Sequence, residues 1–116
     1  MESHLLADAI QTLLDDKKAE DIQQLDLRGR SNIADFFIIA TGSSTTHVAA
    51  LAEELDRFAS QQKVPLLGME GLPTADWVLI DMEDVVVHLF RATIREFYNL
   101  EKLWHPTTAL IAQSRR

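Results

Sequence analysis

Phe36-Phe37-Ile38-Ile39-Ala40-Thr41-Gly42, followed directly by Ser43-Ser44-Thr45-Thr46, is the stretch on which the fold turns. Five consecutive apolar residues, aromatic and β-branched, leave no polar side to face water. That predicts a short strand covered on both faces, near the middle of a sheet. The glycine and hydroxyl cluster behind it read as a turn into a helix. Val48, Leu51, Ala52, Leu55, Phe58 and Ala59 then form an apolar stripe, with Glu53, Glu54, Asp56 and Arg57 on the other side. This spacing predicts a helix over 44–62, closed by Pro65. Leu66 to Gly71 reads as a short strand entering a Gly/Pro turn, and a strand, helix, strand succession of this length predicts a right-handed crossover and a parallel pair.

Working outward, Trp77-Val78-Leu79-Ile80 and Val85-Val86-Val87-His88-Leu89-Phe90 are two more strands. The brief acidic link between them predicts an antiparallel hairpin. Upstream, Leu5, Leu6, Ala9, Ile10, Leu13 and Leu14 predict a helix over 3–18, with Ser3 as its N-cap and Lys17 and Lys18 placed to favour its C-terminus. Ile22, Leu25 and Leu27 among polar residues predict a half-buried strand near 22–28, ending in the loop Arg28-Gly29-Arg30-Ser31-Asn32. Thr93 to Leu103 fits one or two helical turns, stopped by Pro106. The expected fold class is α/β, an α+β sandwich: a mixed sheet of about five strands flanked by helices, one domain over 1–105, with 106–116 as a C-terminal tail.

Composition narrows the chemistry. The 116 residues contain no cysteine, which excludes disulfides, thiolate metal sites and thiol catalysis. A chain of this length buries about two-thirds of its unfolded surface and needs no such staples. Eighteen acidic residues against 11 basic ones give a formal charge of −7, unfavourable for non-specific nucleic-acid binding, which Lys and Arg drive. A domain of this charge suits a basic protein partner instead. No apolar run approaches the roughly 20 residues of a spanning helix. The start, Met1-Glu2-Ser3-His4, lacks the basic region of a signal peptide, and Asp8, Asp15 and Asp16 argue against a transit peptide. The expected setting is the cytoplasm, with no membrane partner.

The most enzyme-like stretch is Thr41 to Thr46, where a buried strand meets a helix and backbone N–H groups can meet phosphate. Neither G-x-x-x-x-G-K-[ST] nor G-x-G-x-x-G is present. Gly-Ser at a strand end resembles nucleotidyltransferases, whose two metal ions require clustered carboxylates. The nearest downstream candidates, Asp81, Glu83 and Asp84, come about forty residues later on the hairpin turn, so ordinary helix capping is the better reading of the loop. G-x-S-x-G is absent. His4, His47, His88 and His105 show no ligand spacing, and His88 is expected on a strand face as a hydrogen-bonded or partly exposed residue. No metal role is expected of these histidines. Trp77, Phe97, Tyr98 and Trp104 are the aromatics of the C-terminal half. Residue pattern leaves Trp77 open between core and interface, where Trp and Tyr are enriched as hot spots.

Six blocks of this sequence carry a resemblance: Asp26-Leu27-Arg28-Gly29; Ile33-Ala34-Asp35-Phe36-Phe37-Ile38-Ile39-Ala40-Thr41-Gly42; Gly68-Met69-Glu70-Gly71; Trp77-Val78-Leu79-Ile80-Asp81; Asp84-Val85-Val86-Val87-His88; and Arg95-Glu96-Phe97-Tyr98-Asn99-Leu100-Glu101-Lys102-Leu103-Trp104. In this order and spacing, over about residues 3 to 105, they resemble the Iojap/RsfS family of ribosomal silencing factors. The resemblance implies a nucleotidyltransferase-like fold without the catalytic carboxylates. It implies binding to the large ribosomal subunit through its ribosomal protein fourteen, which sterically blocks joining of the small subunit and represses translation under nutrient or energy limitation.

By the same resemblance Trp77 and Tyr98 match the family's docking surface as apolar anchors, and Glu70, Asp81, Glu96 and Asn99 are nearby polar contacts. Each has a plainer reading: Asn99 as a cap, Glu96 as a solvated helix residue, Asp81 as a turn former. A homodimer is compatible with the family and with an exposed edge strand. Two rivals stay open at the level of sequence. One is a residual nucleotidyltransferase using Gly42 and Ser43 with Asp81 or Asp84, and the other is an acidic adaptor that never blocks the ribosome.

Overall fold

Seven elements follow one another along the chain: α1 (Ser3–Asp16), β1 (Glu20–Asp26), β2 (Phe36–Gly42), α2 (Thr45–Gln62), β3 (Gly68–Glu70), β4 (Trp77–Asp81) and β5 (Val85–Arg91). The structure is a computed structural model and describes residues 1–94. The strands form one mixed sheet in the order β1-β2-β5-β4-β3, the five-stranded α+β architecture expected from the sequence. Ala92 to Ile94 begin a helical turn, and the rest of the turns expected over 93–103 lies outside the described residues.

The centre of the sheet is the parallel pair β2 and β5, with Phe36 opposite Val85 and Ile39 opposite His88. Every residue of β2 is buried, and so is every residue of β5 except Arg91. Both runs lack polar alternation because both faces of both strands are covered. β4 pairs antiparallel to β5 through the short turn at 82–84, as the acidic link predicted. Asp81 Oδ1 accepts the N–H of Glu83 at 3.0 Å, so this carboxylate shapes the turn.

One pairing differs from expectation. β3 runs parallel to β2 yet does not pair with it. Two antiparallel steps, β5 to β4 and β4 to β3, place it at the far edge. The reason lies in what each strand can cover. β5 is apolar on both sides and competes successfully for the central place, whereas β3 is three residues long, half-exposed, and contains Gly68 and Glu70.

Both helices pack on one face of the sheet. There, Phe36, Ile38, Ala40, Val78, Ile80, Val85, Val87 and Leu89 meet Leu6, Ala7, Ile10 and Leu14 of α1 and Val48, Leu51, Ala52, Leu55 and Ala59 of α2. Each large buried aliphatic contributes roughly 1.5–3 kcal/mol. On α1 the buried stripe includes Ala7, while Leu5 is 51% exposed. The helix is also shifted by a residue or two from its expected ends. Glu2, not Ser3, occupies the N-cap position, its carbonyl accepting from Leu6, and the helix ends at Asp16 with Lys17 as C-cap. Lys18 follows in a left-handed conformation, which turns the chain into β1.

The opposite face of the sheet carries a second apolar cluster: Leu27, Ala34, Phe37, Ile39, Val86 and Phe90, with Leu25, Ile33, Trp77, Leu79 and Ile94 packed against it. Neither α1 nor α2 reaches this side. Among the described residues, no helix is long and apolar enough to cross a membrane.

Candidate functional site

Three of the residues expected at a docking surface come together on that second face, near the β3 edge. Along β4, Val78 and Ile80 are buried toward the helices, while Trp77, Leu79 and Asp81 alternate with them and are half-buried. The antiparallel register sets Leu79 opposite Glu70 and Asp81 opposite Gly68, and residues directly opposite share a face. Glu70, Trp77 and Asp81 therefore lie on one side of the sheet. Between the first two is an open recess of about 260 Å³ lined by Glu70, Gly71, Trp77 and Leu79, with Asp81 beyond it at the other end of β4. Its walls are mostly apolar, with a carboxylate at the rim. Glu96, Tyr98 and Asn99, the other three candidates, lie outside the described residues, as do Phe97 and Trp104.

Trp77 settles between the two readings left open for it: one part of its surface packs on the sheet and another is exposed at the recess. β5 supplies its bed. Phe90 is its cross-strand partner, with ring centroids 5.0 Å apart and an interplanar angle of 33°. The indole Nε1–H donates to Nδ1 of His88 at 3.1 Å. His88 in turn packs against Phe37, at 5.0 Å between centroids, and stacks on Phe90 at 6.1 Å.

His88 has no exposed surface, so of its two expected states the hydrogen-bonded one holds and the partly exposed one does not. Burial without a compensating charge lowers its pKa to about 3, from an ordinary value of 6.5. The imidazole is thus neutral at physiological pH. Because an indole N–H can only donate, Nδ1 must be the accepting nitrogen and the ring proton must sit on Nε2.

Two further features fix the ends of this arrangement. Gly71 has φ +111°, and a Cβ there would run into the Trp77 carbonyl, so the backbone of the turn approaches β4 as closely as it does only because the residue is glycine. The turn is tied by the N–H of Ala75 donating to the Gly71 carbonyl at 2.9 Å. Beside Trp77, Asp76 accepts twice from Arg91, once through its carbonyl from the backbone N–H at 2.9 Å and once through Oδ1 from Nε at 2.8 Å. Sequence reading missed His88, Phe90 and Gly71 as supports of Trp77. The hairpin held a usable signal, since a short turn between Asp81 and Val85 puts Leu79 and Trp77 on the same side as His88 and Phe90.

The strand-to-helix loop behaves as capping. Ser44 is the N-cap of α2, its Oγ accepting from the N–H of His47 at 3.1 Å. His47 closes the loop a second way: Nδ1 accepts from the Ser43 N–H at 2.9 Å, and Nε2 lies 2.9 Å from the Lys17 carbonyl, which links α2 to the end of α1. Gly42 is required here because a Cβ would come within 2.6 Å of Val48 Cγ2.

The geometry also removes the residual-nucleotidyltransferase reading. Asp81 is in the row of Val86 and Phe37, whereas Gly42 is in the row of Arg91, five residues further along β2. Asp84 is at the same far end, its carbonyl accepting from Asp35 and Phe36. The carboxylates and the Gly42-Ser43 turn are thus about 17 Å apart along the strands. They cannot share a pair of metal ions. A larger hollow, about 560 Å³, lies between α1 and β1 on the helix side, lined by Asp8, Gln11, Thr12, Asp15, Ala19, Asp21 and Ile22. No aromatic anchor stands in its walls.

A mixed five-stranded sheet with α1 and α2 on one face, and an aromatic recess with an acidic rim on the other, defines the chain as an α+β domain. Comparison with known proteins gives it a family. The model of the family described as "Ribosomal silencing factor during starvation" matches residues 1–115, and the chain belongs to this RsfS family. Ribosomal silencing factor RsfS of Halalkalibacterium halodurans is 50% identical over 91 residues, covering 78% of each chain. That of Bacillus subtilis is 49% identical over 90 residues, covering 78% of this chain and 76% of the relative.

A mouse protein named for mitochondrial assembly of the ribosomal large subunit is 33% identical over 100 residues, 84% of this chain and 44% of its own length. A crystal structure of a Chromobacterium violaceum protein superposes with a TM-score of 0.85 at 35% identity, covering 90% of this chain and 87% of that one. The two bacterial relatives are named as ribosomal silencing factors, a regulatory and not a catalytic role.

Proposed function

We propose that the protein silences translation by docking on the large ribosomal subunit through its ribosomal protein fourteen, so that its bulk occludes the face needed by the small subunit. The observation that carries this reading is the placement of Trp77 and Glu70 around one recess on the sheet face opposite α1 and α2, with Asp81 further along the same side of β4. A half-buried aromatic with a rigid bed and a charged rim has the anatomy of an interface hot spot. Tyr98 is the second anchor, and Glu96 and Asn99 are further polar contacts. The mouse relative is named for the large subunit, which favours that partner over the small one. A formal charge of −7 suits a basic ribosomal protein and discourages stray contact with RNA. Steric blocking requires no nucleotide, metal or turnover, and the setting is the cytoplasm under nutrient or energy limitation.

Co-sedimentation with separated ribosomal subunits tests the partner, and a light-scattering assay of subunit joining tests the mechanism. The expected result is binding to the large subunit and loss of joining at saturating protein. Binding to the small subunit alone contradicts the proposal, and normal joining at saturation leaves an adaptor that does not block. Trp77→Ala is expected to lose about 2 kcal/mol or more of binding, roughly thirtyfold in affinity. A folded Trp77→Ala protein that binds as tightly as the wild type removes Trp77 from the surface.

A further inference from the structure

We infer that His88 is a positioning residue for docking: from inside the sheet, its imidazole accepts the indole N–H of Trp77 and holds that ring in the orientation a partner meets. The inference rests on Trp77 being an anchor and adds what keeps the anchor in place.

A tryptophan at the start of an edge-side strand has two soft side-chain torsions, and an anchor that must be frozen on binding loses affinity for each rotamer it gives up. In this protein the ring is restrained before any partner arrives. One side leans on Phe90, which fixes the tilt of the ring. That contact alone permits sliding, because apolar packing has no direction. The hydrogen bond from Nε1 to His88 Nδ1, at 3.1 Å, supplies the direction. His88 cannot yield, being fully buried between the ring of Phe37 and that of Phe90. It is also on a central strand, paired to Ile39 on one side and Leu79 on the other.

A leucine or valine at this position would fill the core at lower cost in desolvation. A histidine there buries a polar ring in an otherwise apolar cluster, and burial of a polar group is unfavourable unless it is hydrogen-bonded. The bond to Trp77 satisfies Nδ1, and does so only while the indole stays in this one place. The polar residue therefore trades core stability for a defined orientation of a ring that is half-exposed at the recess.

The experiment compares His88→Leu, which fills space without an acceptor, with His88→Asn, whose Oδ1 falls near the place of Nδ1. Folding of each is checked by cooperative thermal unfolding. Affinity for purified large subunits is measured alongside Trp77→Ala, and the indole N–H resonance is followed by NMR in ¹⁵N-labelled protein, assigned with Trp77→Phe. The expected results are a shift of the Trp77 indole resonance and a roughly three- to tenfold loss of affinity in His88→Leu, with both partly restored in His88→Asn although the asparagine is the poorer core residue.

A purely structural histidine would give the reverse order, with the leucine variant binding as well as the wild type. That outcome overturns the inference. If His88→Leu does not fold, the wild-type protein decides. A Trp77 indole N–H protected from solvent exchange supports the bond, and one exchanging at the rate of free indole overturns it. Wild-type affinity in Trp77→Ala would instead strike at the anchor itself, and so separates failure of the docking reading from failure of this one.

Discussion

The Trp77 carbonyl occupies the space in which a side chain on Gly71 would begin. The two residues are six apart in sequence and are brought together by the turn that carries the chain from β3 to β4. This closeness forms one wall of the recess. Gly71 also has φ +111°, a conformation that side chains other than glycine's rarely adopt. Gly71→Ala is therefore expected to meet both a steric and a conformational penalty, about 1–3 kcal/mol of stability, read as a lower urea midpoint with an unchanged m value. If the turn relaxes outward to make room, Trp77 loses its neighbour and binding to large subunits weakens as well. Gly68, where a Cβ meets nothing within 4 Å, is the control: Gly68→Ala is expected to be near neutral in stability.

Acid should weaken the fold through His88. Its pKa is about 3 in the folded protein and about 6.5 when the chain unfolds and the ring is hydrated. Between those values the unfolded chain binds a proton that the native protein does not, so stability rises with pH. The contribution is complete above about pH 6.5 and is lost progressively as pH falls toward 3, with a slope of about 1.4 kcal/mol per pH unit. Urea unfolding at about pH 5 is expected to show about 2 kcal/mol less stability than at about pH 7 from this residue. In His88→Leu that component is expected to vanish, leaving a flatter profile. Equal slopes in the two proteins would show that the ring is not neutral and buried.

The strand-to-helix turn gives a third prediction, one that separates capping from chemistry. Ser44 Oγ satisfies an N–H that the first turn of α2 otherwise leaves without an acceptor. Ser44→Ala is expected to cost about 1 kcal/mol, seen as a lower melting temperature, with subunit binding unchanged because the recess is on the other face of the sheet. Loss of silencing with unchanged stability would mean that the loop has a function beyond folding.

Much of the fold was legible because periodicity reports burial directly. β2 and α2 fall within a residue or two of their expected limits, and the β4–β5 hairpin is as predicted. The error over β3 has a physical lesson. Chain succession suggested that β2 and β3 would pair, yet Val85 to Phe90 is the other run apolar on both sides, and two such runs belong together at the centre of a sheet. Of the proposed docking surface, the grouping of Trp77 with Glu70 and Asp81 came only from the family resemblance. Nothing in their spacing ties Glu70, at the β3 edge, to Trp77, the first residue of β4. The hydrogen bond from Trp77 to His88 was hidden for another reason: a histidine inside an apolar strand shows no sign in sequence of what its nitrogens meet.

Charge should govern how fast the complex forms more than how long it lasts. Glu70 lies at the rim of the recess, exposed, and the chain as a whole carries −7. Rim charges steer diffusional encounter, and their effect fades as salt shortens the screening length. Association with large subunits, followed by stopped flow, is expected to slow by about tenfold as ionic strength rises from about 0.05 M to about 0.5 M. The dissociation rate should change little. Glu70→Lys is expected to slow association further and to flatten its salt dependence, whereas Trp77→Ala should act on dissociation, since a central apolar anchor acts once the surfaces have met. The opposite assignment, with Glu70→Lys speeding dissociation and leaving the association rate untouched, would place Glu70 in a buried contact with the partner instead of at the rim.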